Sequence, residues 1–201
     1  MVVIRPLQEA DREAVAGIIA THLADEWSYE LPRNDEDGGT FVRVAERGGS
    51  PVGVMALSTY AEPAALRNAM HLIETTDSIP EASRYGLVHA GYVAPDHTGT
   101  GVGSRLLERL HDVGADNGVT AFVADAWSHG GPDSPARLLA AHGYDVVYTR
   151  SIAGHTDGPC PKCGSHCACE AALAVRSVRE ANTGVGPTDR IGRCGRNTDD
   201  G

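Results

Sequence analysis

A glycine-rich stretch in the middle of the chain has the residue types and the spacing of a phosphate-binding loop. An apolar run ends at Pro95, a turn follows that contains Gly99, Gly101 and Gly103, and an amphipathic helix begins there. This order directs several backbone N–H groups to one point at the positive end of a helix, and glycine lacks the Cβ atom that would keep a phosphate away. We therefore predict that the chain binds a phosphorylated cofactor at this loop.

Two common classes of phosphate loop do not fit. The dinucleotide-binding fingerprint has the spacing Gly-x-Gly-x-x-Gly, whereas the glycines here follow the spacing Gly-x-Gly-x-Gly from Gly99 to Gly103. The loop of nucleotide hydrolases requires Gly-Lys-Ser/Thr, and the only lysine of this chain is Lys162. The spacing excludes both classes.

The stretch resembles the acyl-CoA loop of the GNAT acetyltransferase superfamily, which reads Val-x-Pro-x-x-Arg/Gln-x-x-Gly-x-Gly/Ala and continues into a helix. Val93, Pro95, Gly101 and Gly103 match this pattern, and Thr98 stands where the family usually has arginine or glutamine. Because the cradle is made of backbone amides, we expect it to survive that departure. The resemblance covers residues 2–178, with Gly143-Tyr144 at the end of the last helix as weaker support.

The resemblance implies acetyl-CoA as the co-substrate and a primary amine as the acceptor. It implies that the pantetheine arm contacts Val93 and that the pyrophosphate binds the amides that follow Pro95, with the Ser104 side chain as an additional donor. The cofactor-binding residues expected in this way are Val93, Thr98, Gly99, Thr100, Gly101, Val102, Gly103 and Ser104.

The hydrophobic pattern predicts a mixed α/β fold, because strands and helices follow one another without strict alternation. The resemblance implies a central mixed, mostly antiparallel sheet that splays between its fourth and fifth strands and is flanked by helices. Residues 25–39 are predicted to form either a second short helix with a loop or a substrate-side lid. The predicted strands cover residues 2–5, 40–46, 51–60, 87–93, 120–126, 145–152 and 171–178, and the predicted helices cover 10–23, 62–70, 101–118 and 134–142.

Acyl transfer to an amine needs a base for the amine and a proton for the departing thiolate. A group with a pKa near neutrality suits the first task. His89, on the fourth strand, is our leading candidate, and His129, after the fifth strand, is the second; packing of His89 against a neighbouring strand is the alternative. Many family members carry a tyrosine acid five residues before the last aromatic residue, and Leu139 occupies that position here.

Two functions therefore stay open at this point. The first is an N-acetyltransferase that acts on a small metabolite amine, an amino acid or a protein amine. The second is a non-catalytic module, in which the cleft senses CoA or the cysteine-rich loop docks another protein through zinc. The departures at Thr98 and Leu139 favour the second function slightly, but the fold pattern and the loop agree along most of the chain, so we favour the enzyme.

Four of the five cysteines lie within ten residues, and their spacing indicates a metal site. The Cys-Pro-x-Cys-Gly segment resembles a zinc knuckle, and four thiolates suit tetrahedral zinc. His155 or His166 could replace one thiolate, while disulfides, an iron–sulfur cluster and redox-active thiols are the rival interpretations. The predicted zinc ligands are Cys160, Cys163, Cys167 and Cys169.

The composition limits the class of protein, the partners and the location that fit this chain. The 201-residue chain carries a net charge of −10, and sixteen of its seventeen basic residues are arginine, which favours a halophilic protein over the alternative of a GC-rich genome. The acidic balance argues against nucleic acid as a partner. No apolar run is long enough to span a membrane, and the first six residues are unlike a signal peptide, so we expect a cytoplasmic location.

The chain is long enough for one domain with a substantial core. We predict this domain over residues 1–178, with a cysteine-rich loop over residues 155–170 between the last two strands. Residues 179–201 contain few apolar side chains and are predicted to be a disordered tail. A homodimer is common in the family that the chain resembles, but no feature of the sequence indicates one.

Overall fold

A computed structural model describes residues 1–23, 29–70, 75, 77–128, 134–152, 164 and 166–178. The strands are β1 (Val2–Pro6), β2 (Thr40–Arg47), β3 (Ser50–Tyr60), β4 (Tyr85–Val93), β5 (Ala121–Ser128), β6 (Asp145–Ser151) and β7 (Glu170–Ser177). The α-helices are α1 (Arg12–Ala20), α2 (Pro63–Ala69), α3 (Val102–Asp116) and α4 (Pro135–Ala141), and two short 3-10 turns cover Glu9–Asp11 and Pro95–His97.

The strands form one seven-stranded sheet in the order β1-β2-β3-β4-β5-β7-β6. Every neighbouring pair is antiparallel except β4 and β5, which are parallel. The predicted fold class, a mixed and mostly antiparallel sheet flanked by helices, is confirmed.

Helices cover both faces of the sheet. On one face, α3 and α4 pack against Leu57, Val88 and Phe122. On the other face, α1 packs against the β2–β3 half and α2 against the β4–β5–β7 half. Because side chains alternate along a strand, the face on which each site residue lies can be read from its neighbours.

Glycines in the left-handed conformation end several elements where the sequence predicts ends. The β2–β3 hairpin turns through Gly48 and Gly49, with φ of +62° and +85°, which suits the twist of a two-residue hairpin. Gly118 ends α3 with φ of +76°, and the N–H of Val119 donates to the carbonyl of Gly114 at 2.9 Å. This bond is the Schellman closure of a helix C-terminus.

Strands β4 and β5 pair only over their first halves. Their register runs from Tyr85 opposite Ala121 to Val88 opposite Ala124, and no later residue of either strand is paired with the other. The remainder of β4 leaves an opening in the sheet between these two strands. The splay that the resemblance implies is therefore present.

A β-bulge lies in the half of β4 that does not pair with β5. Val54 of β3 faces Tyr92 and Ala56 faces His89, so Ala90 and Gly91 together oppose one residue of β3. Ala90 has φ of +55°, a left-handed conformation that is unusual for a residue other than glycine. The extra residue puts His89 and Tyr92 on the same face although they are three positions apart.

One expectation about the first forty residues needs correction. The helix predicted over residues 10–23 is shorter, because the Asp11 carboxylate caps a 3-10 turn ahead of α1 and the Thr21 hydroxyl donates to the carbonyl of Ile18 as the helix ends. Residues 29–39 contain no helix, and residues 24–28 lie outside the described residues. Within the described residues, no helix is both long and apolar enough to cross a membrane.

Candidate functional site

The loop between β4 and α3 holds its glycines in a conformation that few other residues adopt. Gly99 and Gly101 have φ of +73° and +83°, and no atom lies within 4 Å of a Cβ added at either position. The Thr100 hydroxyl donates to the carbonyl of His97 at 2.6 Å and fixes the turn. The loop is therefore ordered by its own bonds and open on the side of its glycines.

Backbone amides collect at this open side. The N–H of Arg105 makes the first bond of α3, to the carbonyl of Gly101. The amides of Val102, Gly103 and Ser104 precede it and have no partner within the helix, as expected for the first turn of any α-helix. These donors, together with the positive end of a 15-residue helix, can bind an anion.

Val102 and Gly103 also contribute to the packing of α3. Val102 is buried in the core. A Cβ on Gly103 would lie 3.3 Å from Cδ2 of Leu138 on α4, so this glycine permits the close approach of two helices. Both residues can therefore reach a ligand only through their main chain, and Thr98 and Ser104 sit at the rim with exposed and half-buried side chains.

Val93 lies at the opening between β4 and β5. Its carbonyl accepts a hydrogen bond of 2.7 Å from Nε2 of His22, which follows α1. The ring of His22 also lies against Tyr92, with 5.6 Å between centroids. The end of β4 is thus held on one face by His22, which follows α1. On the other face, the side chain of Val93 packs with the core beneath α3.

His89 lies at the first position of β4 beyond the parallel pairing. Its Nδ1 is 3.0 Å from the hydroxyl of Tyr29, and its Nε2 is 3.1 Å from Oγ of Ser58. In a neutral imidazole one nitrogen donates and the other accepts, and a hydroxyl can do either. Tyr29, His89 and Ser58 therefore form a hydrogen-bonded chain with three exchangeable protons beside the opening in the sheet.

Two phenols border this chain. Burial, reinforced by the neighbouring phenols of Tyr92 and Tyr60, raises the pKa of Tyr29 to about 12. Burial also raises the pKa of Tyr92, whose ring lies 6.0 Å from that of Tyr29. Both therefore stay protonated at neutral pH, and Tyr29 can donate a proton.

The position of the usual tyrosine acid carries no titratable group. Leu139 is buried in the core on α4. The nearby Tyr144 is also buried, its hydroxyl lies 2.8 Å from Nε2 of His111, and burial raises its pKa. Tyr144 is therefore a core residue.

The remaining predicted residues are only partly described. His129, Cys160 and Cys163 lie outside the described residues. Cys169 is buried directly before β7, and Cys167 is half-buried. The part of the chain that the structure describes contains no group of three or more potential metal ligands, so the predicted zinc site stays a prediction.

The glycine loop, the splayed strands and the bulge occur together within a sequence that matches a family model. The model is that of the acetyltransferase (GNAT) family, and it matches residues 5–143. This chain belongs to the GNAT acetyltransferase family. The resemblance that the loop residues carried is therefore confirmed, while no curated protein sequence matches the chain.

Solved GNAT structures share the fold across nearly the whole chain. The protein yncA from Salmonella typhimurium, described as an acetyltransferase and solved with acetyl-CoA, is 21% identical with a TM-score of 0.61, covering 90% of this chain and 95% of its own. A ribosomal-protein-alanine N-acetyltransferase from Brucella melitensis is 21% identical with a TM-score of 0.59, covering 88% and 99%. A GCN5-related N-acetyltransferase from Kribbella flavida is 17% identical with a TM-score of 0.60, covering 88% and 98%.

Two residues that contact His89 escaped the sequence analysis. Tyr29 and Ser58 reach His89 from segments that are 60 and 31 residues away in the chain. No local pattern marks them, since Ser58 reads as an ordinary strand residue and Tyr29 lies in a segment without periodicity. Only the alternation of β3, together with its pairing to β4, could have placed Ser58 beside His89.

Proposed function

We propose that this protein transfers the acetyl group of acetyl-CoA to a primary amine. The observation that carries this proposal is the position of His89, a titratable side chain hydrogen-bonded to two hydroxyls where β4 and β5 part. Membership of the GNAT family and the amide cluster at the start of α3 support it. The acceptor lies on the face of the sheet that carries His89.

The main chain would bind the co-substrate. In this proposal the amides of Gly99, Gly101 and the first turn of α3 hold the pyrophosphate, with Thr98, Thr100 and Ser104 at the rim. Val93 contacts the pantetheine arm at the opening between β4 and β5. The left-handed glycines support this role, because the space where a side chain would stand is open at both positions.

The proton path would run through three side chains. His89 accepts a proton from the amine as the nitrogen attacks the thioester carbonyl. Collapse of the tetrahedral intermediate breaks the C–S bond, and the thiolate takes a proton from Tyr29. The imidazolium of His89 returns its proton to the Tyr29 oxygen, so the protein ends the cycle in its starting state. Ser58 holds the second nitrogen of His89 and fixes the ring.

Thiol release from acetyl-CoA in the presence of a panel of primary amines tests this function. We expect amine-dependent release and mass-spectrometric detection of the N-acetylated product. Binding of acetyl-CoA in calorimetry without release for any amine would instead support the non-catalytic CoA-binding module.

A structural zinc ion is a separate proposal. Cys160, Cys163, Cys167 and Cys169 would hold it within the segment that joins β6 to β7, in a cytoplasm that keeps thiols reduced. The N–H of Ile152 donates to the carbonyl of Cys169 at 3.0 Å, so the two ends of this segment already meet. A metal there would reduce the entropy cost of ordering the loop.

A further inference from the structure

Two buried N–H donors lie in one cross-strand row of the sheet. They are Nε1 of Trp127 on β5 and Nε of Arg150 on β6. Within the part of the chain that the structure describes, neither atom has a hydrogen-bond partner, and Arg150 forms no salt bridge there. Buried donors are nearly always satisfied in folded proteins, so both donors need an acceptor that the described residues do not supply.

The strand register brings the two donors together. Trp127 pairs with Ala171 of β7, and Ala171 pairs with Arg150 of β6. Directly paired residues on neighbouring strands share a face and lie about 5 Å apart, which places the two Cα atoms about 10 Å apart. Between them in this row stands Ala171, whose side chain is a single methyl group.

This row faces the same side as His89. Val123 and Ala171 belong to the cluster that packs with Leu87, and alternation puts Trp127 on the face of Val123 and His89 on the face of Leu87. Trp127 lies three residues beyond Ala124, the last residue of β5 that pairs with β4. Trp127 therefore stands across the opening from His89, and Arg150 lies two strands further out, on β6.

Acetyl-CoA does not account for these donors. The amide cluster that would hold its phosphates begins α3, and α3 packs on the opposite face of the sheet. A guanidinium group and an indole N–H match a carboxylate, because arginine binds planar anions through two parallel hydrogen bonds. Asp125 lies on the same face, one row nearer the paired part of β5.

We infer that the acceptor is an amine that also carries a carboxylate, as amino acids do, and that Trp127 and Arg150 bind this carboxylate. The inference rests on the proposed acetyl transfer and names the substrate class of that site. It separates amino acids from neutral amines and polyamines, which would leave both donors buried and unpaired. Discrimination of this kind is strong when the site's polar groups lose their partner.

The test compares L-amino acids with their carboxamides, which keep the amine and side chain but lose the charge. For the wild type we expect kcat/KM at least tenfold higher for the acids. Arg150→Gln should raise KM for the acids tenfold or more and leave the carboxamides unchanged, and Trp127→Phe should act in the same direction while keeping the ring. Arg109→Gln, on the exposed side of α3, is the matched control and should behave as the wild type. Equal turnover of acids and carboxamides, or equal effects of Arg150→Gln on both, would overturn the inference.

A binding measurement separates this inference from the proposed function. The probes are N-acetyl-L-amino acids and their carboxamides, titrated into CoA-saturated protein by calorimetry. Tighter binding of the acids that is lost in Arg150→Gln supports the inference even if no amine is acetylated, an outcome that would contradict only the proposed function. Equal or absent binding of the acids would overturn the inference while thiol release could still establish acetyl transfer. Thermal melts of each variant verify that it is folded.

Discussion

The hydroxyl of Tyr29 lies 3.0 Å from Nδ1 of His89, although 60 residues separate the two in the chain. Ser58 holds the other nitrogen of the same ring at 3.1 Å. The imidazole is thus fixed between two hydroxyls at the point where the central strands part. This arrangement allows the two proposed proton-transfer roles to be tested separately.

Replacing His89 should remove the base. Because general base catalysis contributes roughly 100-fold or more, His89→Gln should lower kcat by about that factor, and KM for acetyl-CoA should change little. The control Ser58→Ala keeps the imidazole and should cost far less. Wild-type kcat in His89→Gln would exclude His89 as the base.

Replacing Tyr29 should remove the proton donor. Tyr29→Phe keeps the ring and its packing, so we expect a lower kcat with an unchanged melting temperature. Since the pKa of Tyr29 is raised to about 12, the phenol stays protonated through the whole accessible range. The wild type should therefore show no loss of rate on the alkaline side below about pH 10, and a tyrosine-dependent decline near pH 8 would contradict the assignment.

Gly101 and Gly118 offer a matched pair at the two ends of α3. Both are left-handed, with φ of +83° and +76°, and both have open space where a Cβ would lie. Alanine at either position should cost about 1–2 kcal/mol of folding stability. Only Gly101→Ala should also weaken acetyl-CoA binding, about tenfold in calorimetry, because its methyl group enters the amide cluster. Equal affinity in the two variants would place the co-substrate elsewhere.

The strands and helices could be read from the sequence because their signals are local. Apolar periodicity located α3 within two residues, and glycines marked its end and the β2–β3 turn. The bulge could not be located with certainty, because Ala90 carries no turn signal and adopts φ of +55° only under the constraint of its neighbours. The proton chain depends on contacts between distant segments, for which a single sequence contains no pattern.

The zinc proposal can be tested by metal analysis of the full chain. We expect one zinc ion per chain by mass spectrometry of the native protein, and a lower melting temperature after treatment with a chelator. Cys169→Ser should lose the metal, since Cys169 is buried beside β7. Cys194→Ser is the control and should retain it. Protein produced with ample zinc that contains no metal would contradict the proposal.

A half-buried histidine should make the stability of the fold sensitive to acid. Burial, together with the nearby charges of Arg176 and His142, lowers the pKa of His111 from 6.5 to about 4. Between these values the unfolded chain binds a proton that the folded chain does not, so stability falls as the pH decreases through that window.

The corresponding measurement is the melting temperature at pH 7 and pH 4.5. The wild type should lose several degrees more than His111→Gln, whose amide can still bond to the hydroxyl of Tyr144. His97→Gln, at the half-buried position near the glycine loop, should match the wild type. Identical losses in wild type and His111→Gln would assign the acid sensitivity to other groups.

In the proposed reaction, the bulge at Ala90 and Gly91 allows one strand, β4, to contact both the acceptor and the co-substrate. In this proposal, His89 faces the acceptor before the bulge, and after it Val93 carries its side chain toward the helix that begins with the proposed co-substrate loop. Deleting one residue here would restore a regular strand and turn the side chains of the following β4 residues to the opposite face of the sheet. We therefore expect related sequences to carry no insertion or deletion at this two-residue step, even where the neighbouring surface loops vary in length.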